Sequence, residues 1–209
     1  MTGIPGRTVV TEQFEAPHGT KAPSVELPAP PTELATAGVE RLGWCGVALP
    51  TTTVLGRDVV LVAELLADAH AERICLGLGP ETDRATVATW VWPEFAGRVP
   101  SVAARVSGVI TVARHWRTGM ACVAPFARYC DTAIVLPSSV ILSHDYVANC
   151  LPRARAYGIA VVSADPDDGV DIDLPAQPDR LTGGEDAISR WVSEIAYDRI
   201  LAASEAASE

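Results

Sequence analysis

Five cysteines and four histidines are the residues best suited to metal or nucleophilic chemistry here, and their spacing favours neither. Cys45, Cys75, Cys122, Cys130 and Cys150 are widely spread and never in CxxC spacing, so neither a zinc site nor a disulfide framework is indicated. His18, His70, His115 and His144 lack HxxxH or comparable spacing, and no metal site is expected. No GxSxG elbow is present to seat a nucleophilic serine. The run Leu76-Gly77-Leu78-Gly79-Pro80-Glu81 lacks the third glycine of a dinucleotide loop, and Pro80 removes an amide that a phosphate cradle would use. No cofactor is expected. One stretch stands apart: no acid lies between Glu94 and Asp131, while Arg98, Arg105, Arg114, Arg117, Arg128 and His115 all do. Gathered on one face, Arg98, Arg105, Arg114 and Arg117 would bind phosphate or carboxylate; pointing different ways, they are an ordinary surface. Lys21 is the only lysine, so the folded body has none to use in catalysis.

These residues must be positioned by one domain. The chain has 209 residues, 48% of them hydrophobic, which is enough for a real core and too apolar for a wholly disordered protein. No run of 18 apolar residues occurs, and residues 1–7 lack a basic-then-apolar leader, so a cytoplasmic protein with no membrane partner is expected. The net charge of -10 is uneven: residues 1–31 carry -1, residues 32–159 sum to zero, and residues 160–209 carry -9.

Residues 1–31 contain six prolines and read as an extended arm. Residues 32–181 form the α/β core. A helix capped by Thr32 ends at Gly43, and a short strand lies at 45–49. Asp58 caps a second helix to about residue 71, with Val62, Leu65, Leu66 and Ala69 on one face. Strands follow at 73–78 (RICLGL), 85–92 (ATVATWVW), 99–106 and 109–114, the last two joined by a tight turn at Ser107-Gly108. A helix at 117–129 restarts at Pro125. A strand at 132–136, a helix from Ser143 to Gly158 broken near Pro152, a strand at 159–163, a turn at 165–169 and a strand at 170–174 complete the core. Residues 182–209 are an acidic C-terminal helix, opened by Gly183-Gly184 and carrying Ile188, Trp191, Val192 and Ile195 on one face. The fold class is α/β, a mixed central sheet flanked by helices.

The order helix, three meandering strands, helix, strand, helix, strand resembles the PD-(D/E)XK, or restriction-endonuclease-like, superfamily. The wording is similar between Pro100 and about Leu174: Pro100-Ser101, a turn, Thr111-Val112-Ala113, then YCDTAIVLP and LPRARAYGIAVVSADPDDG. The resemblance implies a restriction-endonuclease-like core. Family acids there bind a divalent metal that activates water, and a lysine steadies the developing charge. This sequence instead has Ser101, Thr111 and Ala113, whose side chains are poor Mg²⁺ ligands or inert. Glu64, Glu94 and Asp131 are the acids available for relocation, with Arg105 or Arg114 in the lysine's place.

The resemblance, stripped of its catalytic letters, implies a non-catalytic binding or scaffolding subunit in a protein or nucleoprotein complex. Its expected partner is another protein subunit, met through the N-terminal arm and the face of Ile188, Trp191, Val192 and Ile195. Nucleic acid is expected only within such a complex, because the net charge opposes phosphates. The alternatives are a metal-dependent nuclease with relocated acids, and a structural component of a larger particle or filament.

Overall fold

Consecutive apolar residues mark strands covered on both faces. The runs VVLVA, TAIVL and AVV become β3 (Arg57–Leu65), β5 (Asp131–Pro137) and β6 (Ala160–Asp165) of one mixed sheet. The computed structural model of the protein describes residues 26–177 and 186–206. Its remaining strands are β1 (Val47–Ala48), β2 (Thr52–Val54), β4 (Ala104–Val112) and β7 (Gly169–Leu174). The sheet order is β1-β3-β4-β5-β6-β7, with β2 also on β3. Neighbours β4, β5 and β6 run parallel, and the other pairs are antiparallel.

Side chains alternate across this sheet. Val60, Val62, Ile110, Ala133, Val135, Ala160 and Val162 meet Leu34, Ala35 and Val39 of α1 (Pro31–Leu42). The opposite face carries Val59, Leu61, Val109, Ile134, Leu136 and Val161. It is covered by α4 (Trp116–Val123), α6 (Leu151–Tyr157) and α7 (Ala187–Ala206). The C-terminal helix therefore belongs to the same core as the sheet, and is not an appendage. The arm at 1–25 and Gly183-Gly184 lie outside the described residues.

The α/β class, the sheet flanked by helices, and β5, β6, β7, α4 and α7 agree with the sequence. Helix α1 with its stop at Gly43 and strand β1 within the expected 45–49 agree as well, whereas the stretch from Asp58 to Gly108 differs. The helix expected from Asp58 is strand β3, because its apolar residues are a continuous run buried on both faces. RICLGL lies mostly in α2 (Ala67–Leu76), which ends on Gly77 in the left-handed conformation at φ 68°. ATVATWVW begins α3 (Arg84–Thr89), where the Asp83 side chain accepts from the Thr86 amide as an N-cap. The two strands expected around Ser107-Gly108 are one strand, β4. Ser107 sits at a register shift, its hydroxyl donating to the Cys45 and Val62 carbonyls. Gly108 lies under the Trp44 indole, whose Cε3 would be 2.4 Å from a Cβ at that position. The glycine thus marks a close approach, not a turn.

Helices α2 and α3 form an excursion between β3 and β4. Arg73 is the only buried residue of α2, and it anchors the excursion to α7. Arg73 Nη1 and Nη2 donate to Glu194 Oε2 and Oε1 at 2.8 and 2.5 Å, with both residues 1% exposed. Arg73 Nε donates to the Ser101 carbonyl, and the Glu81 amide donates to Glu194. The Arg190 guanidinium lies 3.1 Å from the same carboxylate. The Tyr197 ring stands 5.1 Å from the Arg73 guanidinium carbon.

Two predictions follow from this packing. Glu194→Gln leaves the buried Arg73 charge uncompensated and should cost about 3–5 kcal/mol in denaturant unfolding, whereas Arg73→Met with Glu194→Leu should recover most of it. Equal losses in the single and double variants would refute the clamp. Gly108→Ala should cost about 1–3 kcal/mol by thrusting a methyl into Trp44, and the cost should shrink in a Trp44→Leu background.

Candidate functional site

A two-residue turn begins the site. Leu55 and Gly56 link β2 to β3 with φ of 52° and 69°, the left-handed pair that a tight hairpin requires. The hairpin sets Arg57 and Asp58 at the start of β3. Because β3 and β4 are antiparallel, that start lies beside the end of β4. The register Val60↔Ile110, carried two residues further, places Asp58 beside Val112. The Thr111 hydroxyl reaches the Asp58 carbonyl at 3.5 Å. Beyond β4 the chain turns through Arg114 and His115 into α4, whose N-cap residue His115 makes no side-chain cap.

These residues line a cleft of about 530 Å³, with Arg57, Asp58, Thr111, Val112, Arg114 and His115 around it. Thr118 and Cys122 of α4 and Leu27, just before α1, complete its wall. The Asp58 carboxylate accepts from Thr53 Oγ1 at 2.6 Å. Two guanidinium groups thus share the cleft with one carboxylate, itself already hydrogen-bonded. That charge set suits an anion. It does not fit a divalent cation, which needs several oxygen donors and would face two positive charges.

Thr111, Ala113 and Arg114 come together here, but Ser101 does not. Ser101 precedes β4, and its hydroxyl donates to Glu72. It is separated from Thr111 by the length of a nine-residue strand. Its place beside the end of β4 is taken by Asp58, which the sequence reading had made a helix cap. The signal that would have found Asp58 is TTTVLGRDVV, β-branched residues on both sides of a Leu-Gly pair.

The four arginines expected to gather do not. Arg105 pairs with Glu64 at 2.5 Å, near the start of β4 and about 30 Å of extended chain from Arg114. Arg98 is exposed in the turn after the 3₁₀ segment Pro93–Phe95. Arg117 pairs with Asp145 at 2.9 Å. Only Arg114 lines the cleft. The acids considered for relocation are scattered too. Glu64 faces Arg105, Glu94 is exposed in the 3₁₀ segment, and Asp131 opens β5 beside Gly108.

The face expected to meet a partner packs against the chain's own core. Val192 and Ile195 are buried, and Ile188 and Trp191 pack against the same cluster. The Trp191 indole donates to the Thr82 carbonyl, and Arg84 lies over its ring. Helix α7 needs this stripe to cover the sheet, so its apolar periodicity is not a docking signal.

Burial pushes the Cys130 thiol up to about 12 and the Cys150 thiol up to about 11, so neither is a ready nucleophile at neutral pH. Tyr146, in a π-helical turn, donates to Asp173, while Ser163 donates to the other oxygen of that carboxylate. Burial and this bond push the Tyr146 phenol above its ordinary value. The group ties the turn to the sheet. Among the described residues no three His, Cys, Asp or Glu side chains are grouped to hold a metal ion, and no helix is long and apolar enough to cross a membrane.

No family model matches the chain, and neither a curated protein nor a solved structure is similar enough to it to count as a match.

Asp131 offers a pH test. Burial raises its carboxyl above the ordinary 3.8. The folded chain then holds the proton to higher pH than the unfolded one, so stability falls as pH rises from about 3.8 through the raised value. Asp131→Asn should raise the melting temperature at neutral pH and leave it nearly unchanged at the acid end of that window. Thermal melts across the range check this, and an unchanged neutral-pH melting temperature would count against it.

Proposed function

We propose that the chain is a non-catalytic binding or scaffolding subunit on a degenerate nuclease-like core, whose cleft at the end of β4 holds an anionic group of a protein or nucleoprotein complex. The observation that carries the reading is the charge of the cleft, Arg57 and Arg114 around the single carboxylate of Asp58. The uncapped start of α4 adds its positive end to the same neighbourhood.

Kinship with the PD-(D/E)XK fold is supported by element order. Helix α1, antiparallel strands β1, β3 and β4, helix α4 and parallel strand β5 come in the order that resemblance implies, with β2 inserted before β3 and α2 and α3 inserted before β4. The register differs from the sequence reading, with Asp58 in the place that was given to Ser101. Across from it the strand offers Thr111, Val112 and Ala113, whose side chains cannot supply the second acid and the lysine of the family's chemistry. Arg114 supplies a fixed positive charge, but an arginine does not give up a proton as a lysine can. These substitutions leave recognition of an anion as the use of the cleft.

The test combines binding and turnover on the full chain. Titration with pyrophosphate and with a short phosphorylated oligonucleotide should show saturable binding that weakens about tenfold in Arg57→Ala or Arg114→Ala. Plasmid and oligonucleotide substrates should stay intact in Mg²⁺ or Mn²⁺. Metal-dependent cleavage abolished by Asp58→Asn would overturn the reading in favour of a nuclease, and failure of both probes to bind would remove the anion site.

A further inference from the structure

The two longest stretches of this acidic chain without a carboxylate lie on neighbouring elements. None lies between Glu94 and Asp131, nor between Asp145 and Asp165. The fold sets parts of these two segments side by side: α4 with the 3₁₀ turn Ala124–Phe126, and α6. A trough runs between them. One half, about 380 Å³, is lined by Trp116, Arg117, Met120, Ala121, Ala124, Arg153 and Tyr157. The other, about 350 Å³, continues from Ala124 and Tyr157 to Arg128, past Pro125, Ala127 and Ala156. Neither half shares a lining residue with the cleft around Asp58.

The floor is small and apolar, and the rim is positive. Tyr157 is 57% exposed, so an aromatic ring lies open at the junction of the two halves. The rim guanidinium groups are held by aromatic rings. Arg117 and Arg153 lie 4.4 and 5.5 Å from the Trp116 centroid, and Arg128 lies 5.0 Å from that of Tyr129. Trp116 is itself fixed, buried and donating to Asp145 Oδ2 at 2.8 Å. Asp145 also accepts from Arg117 and Asn149, and the Trp116 and Arg117 bonds hold its carboxyl below the ordinary value. That carboxylate neutralises part of Arg117, leaving Arg153 and Arg128 as the open charges. Stacked arginines lose little freedom when they meet a carboxylate, so this rim is preorganised.

We propose that this trough docks an acidic amphipathic helix of a partner protein. At rises of about 1.5 Å per residue for α4 and about 2.0 Å for the 3₁₀ turn, Trp116–Phe126 runs about 18 Å, which matches about three turns of a guest helix. Its apolar side chains would lie on Met120, Ala121, Ala124 and Tyr157, and its carboxylates would reach Arg153 and Arg128. The apolar floor distinguishes this guest from a nucleic-acid strand. A nucleic-acid strand would need a row of exposed rings for successive bases, and Tyr157 is the one exposed ring lining the trough, Trp116 being buried. The surface is independent of the anion cleft, so either assignment can fail without the other.

Fluorescence anisotropy on the full chain tests it with three labelled probes. They are a three-turn helical peptide of leucine and glutamate in amphipathic spacing, the same peptide with glutamine for glutamate, and oligothymidylate of similar length. The glutamate peptide should bind, weaken with added salt, and weaken about tenfold in Arg153→Glu with Arg128→Glu. Both arginines are rim residues, and circular dichroism verifies that the variant stays folded. Arg57→Ala with Arg114→Ala in the cleft should leave peptide binding unchanged. Absence of peptide binding, equal binding of the glutamine peptide, or tighter binding of oligothymidylate at the same arginines would each overturn the proposal.

Discussion

The buried fork between Arg73 and Glu194 is the contact on which the upper half of the fold depends. Burying two charges carries a desolvation cost of several kcal/mol per ion, recovered only where geometry and extra hydrogen bonds are good. Here the guanidinium makes two bonds to the carboxylate and one to the Ser101 carbonyl, and the carboxylate also receives the Glu81 amide. These partners come from four separate stretches of chain. The pair therefore joins α2, the loop after it, the approach to β4, and α7. Helix α2 contributes little apolar burial: Ala69 packs partly against the core, while Ile74 and Leu76 are 65% and 62% exposed. A hydrophobic stripe could slide along a neighbour, but a bidentate pair fixes one position. That fixed position delivers the chain from α3 into β4 in a single register.

Register is in turn what builds the cleft. A shift of one residue between β3 and β4 would turn every side chain to the other face. Two features hold the pairing. Ser107 occupies the bulge with both its hydrogen bonds satisfied across the strands, and Trp44 lies directly on Gly108. With these in place, the β2–β3 turn falls beside the end of β4, and Arg57, Asp58 and Arg114 share one cavity. The cleft is thus a consequence of packing some distance from it.

The parts of this fold legible in the sequence are those in which local pattern and tertiary role agree. TAIVLP and AVVSAD are short apolar strands in a parallel pairing, and α7 shows its buried stripe openly. Pro125 and Pro152 fall where α4 passes into a 3₁₀ turn and where α6 begins. The stretch from Asp58 to Gly108 misleads because its signals belong to other causes. Asp58 followed by apolar residues at i+4, i+7 and i+8 imitates a capped amphipathic helix, yet the residues between are apolar as well and need a sheet. RICLGL looks like a strand because α2 presents its apolar side chains outward and its arginine inward. Ser107-Gly108 has turn chemistry but serves a bulge and an indole. The candidate site shows the same inversion: Thr111, Ala113 and Arg114 at the end of β4 are legible in the sequence, while Asp58 is masked by the helical look of its strand.

The net charge of -10 is unevenly distributed over the fold. Much of the acidity lies around the β6–β7 hairpin, where Asp165, Asp167, Asp168, Asp171 and Asp173 cluster. Among the described residues, strand β7 lies at the end of the sheet order. Carboxylates there discourage pairing with another strand, and several have local partners. Asp165 accepts from the turn amides of Asp167 and Asp168, Asp171 pairs with Arg41, and Asp173 receives Tyr146 and Ser163. Charges committed to an edge and its turn act over about a Debye length, near 8 Å at physiological salt. Helix α6 packs against β7, so these acids share its neighbourhood, while Arg117 of α4 and Arg153 of α6 line the trough. A protein of net charge -10 can still present a positive trough, because α4 and α6 carry Arg117, Arg153 and Arg155 and no carboxylate.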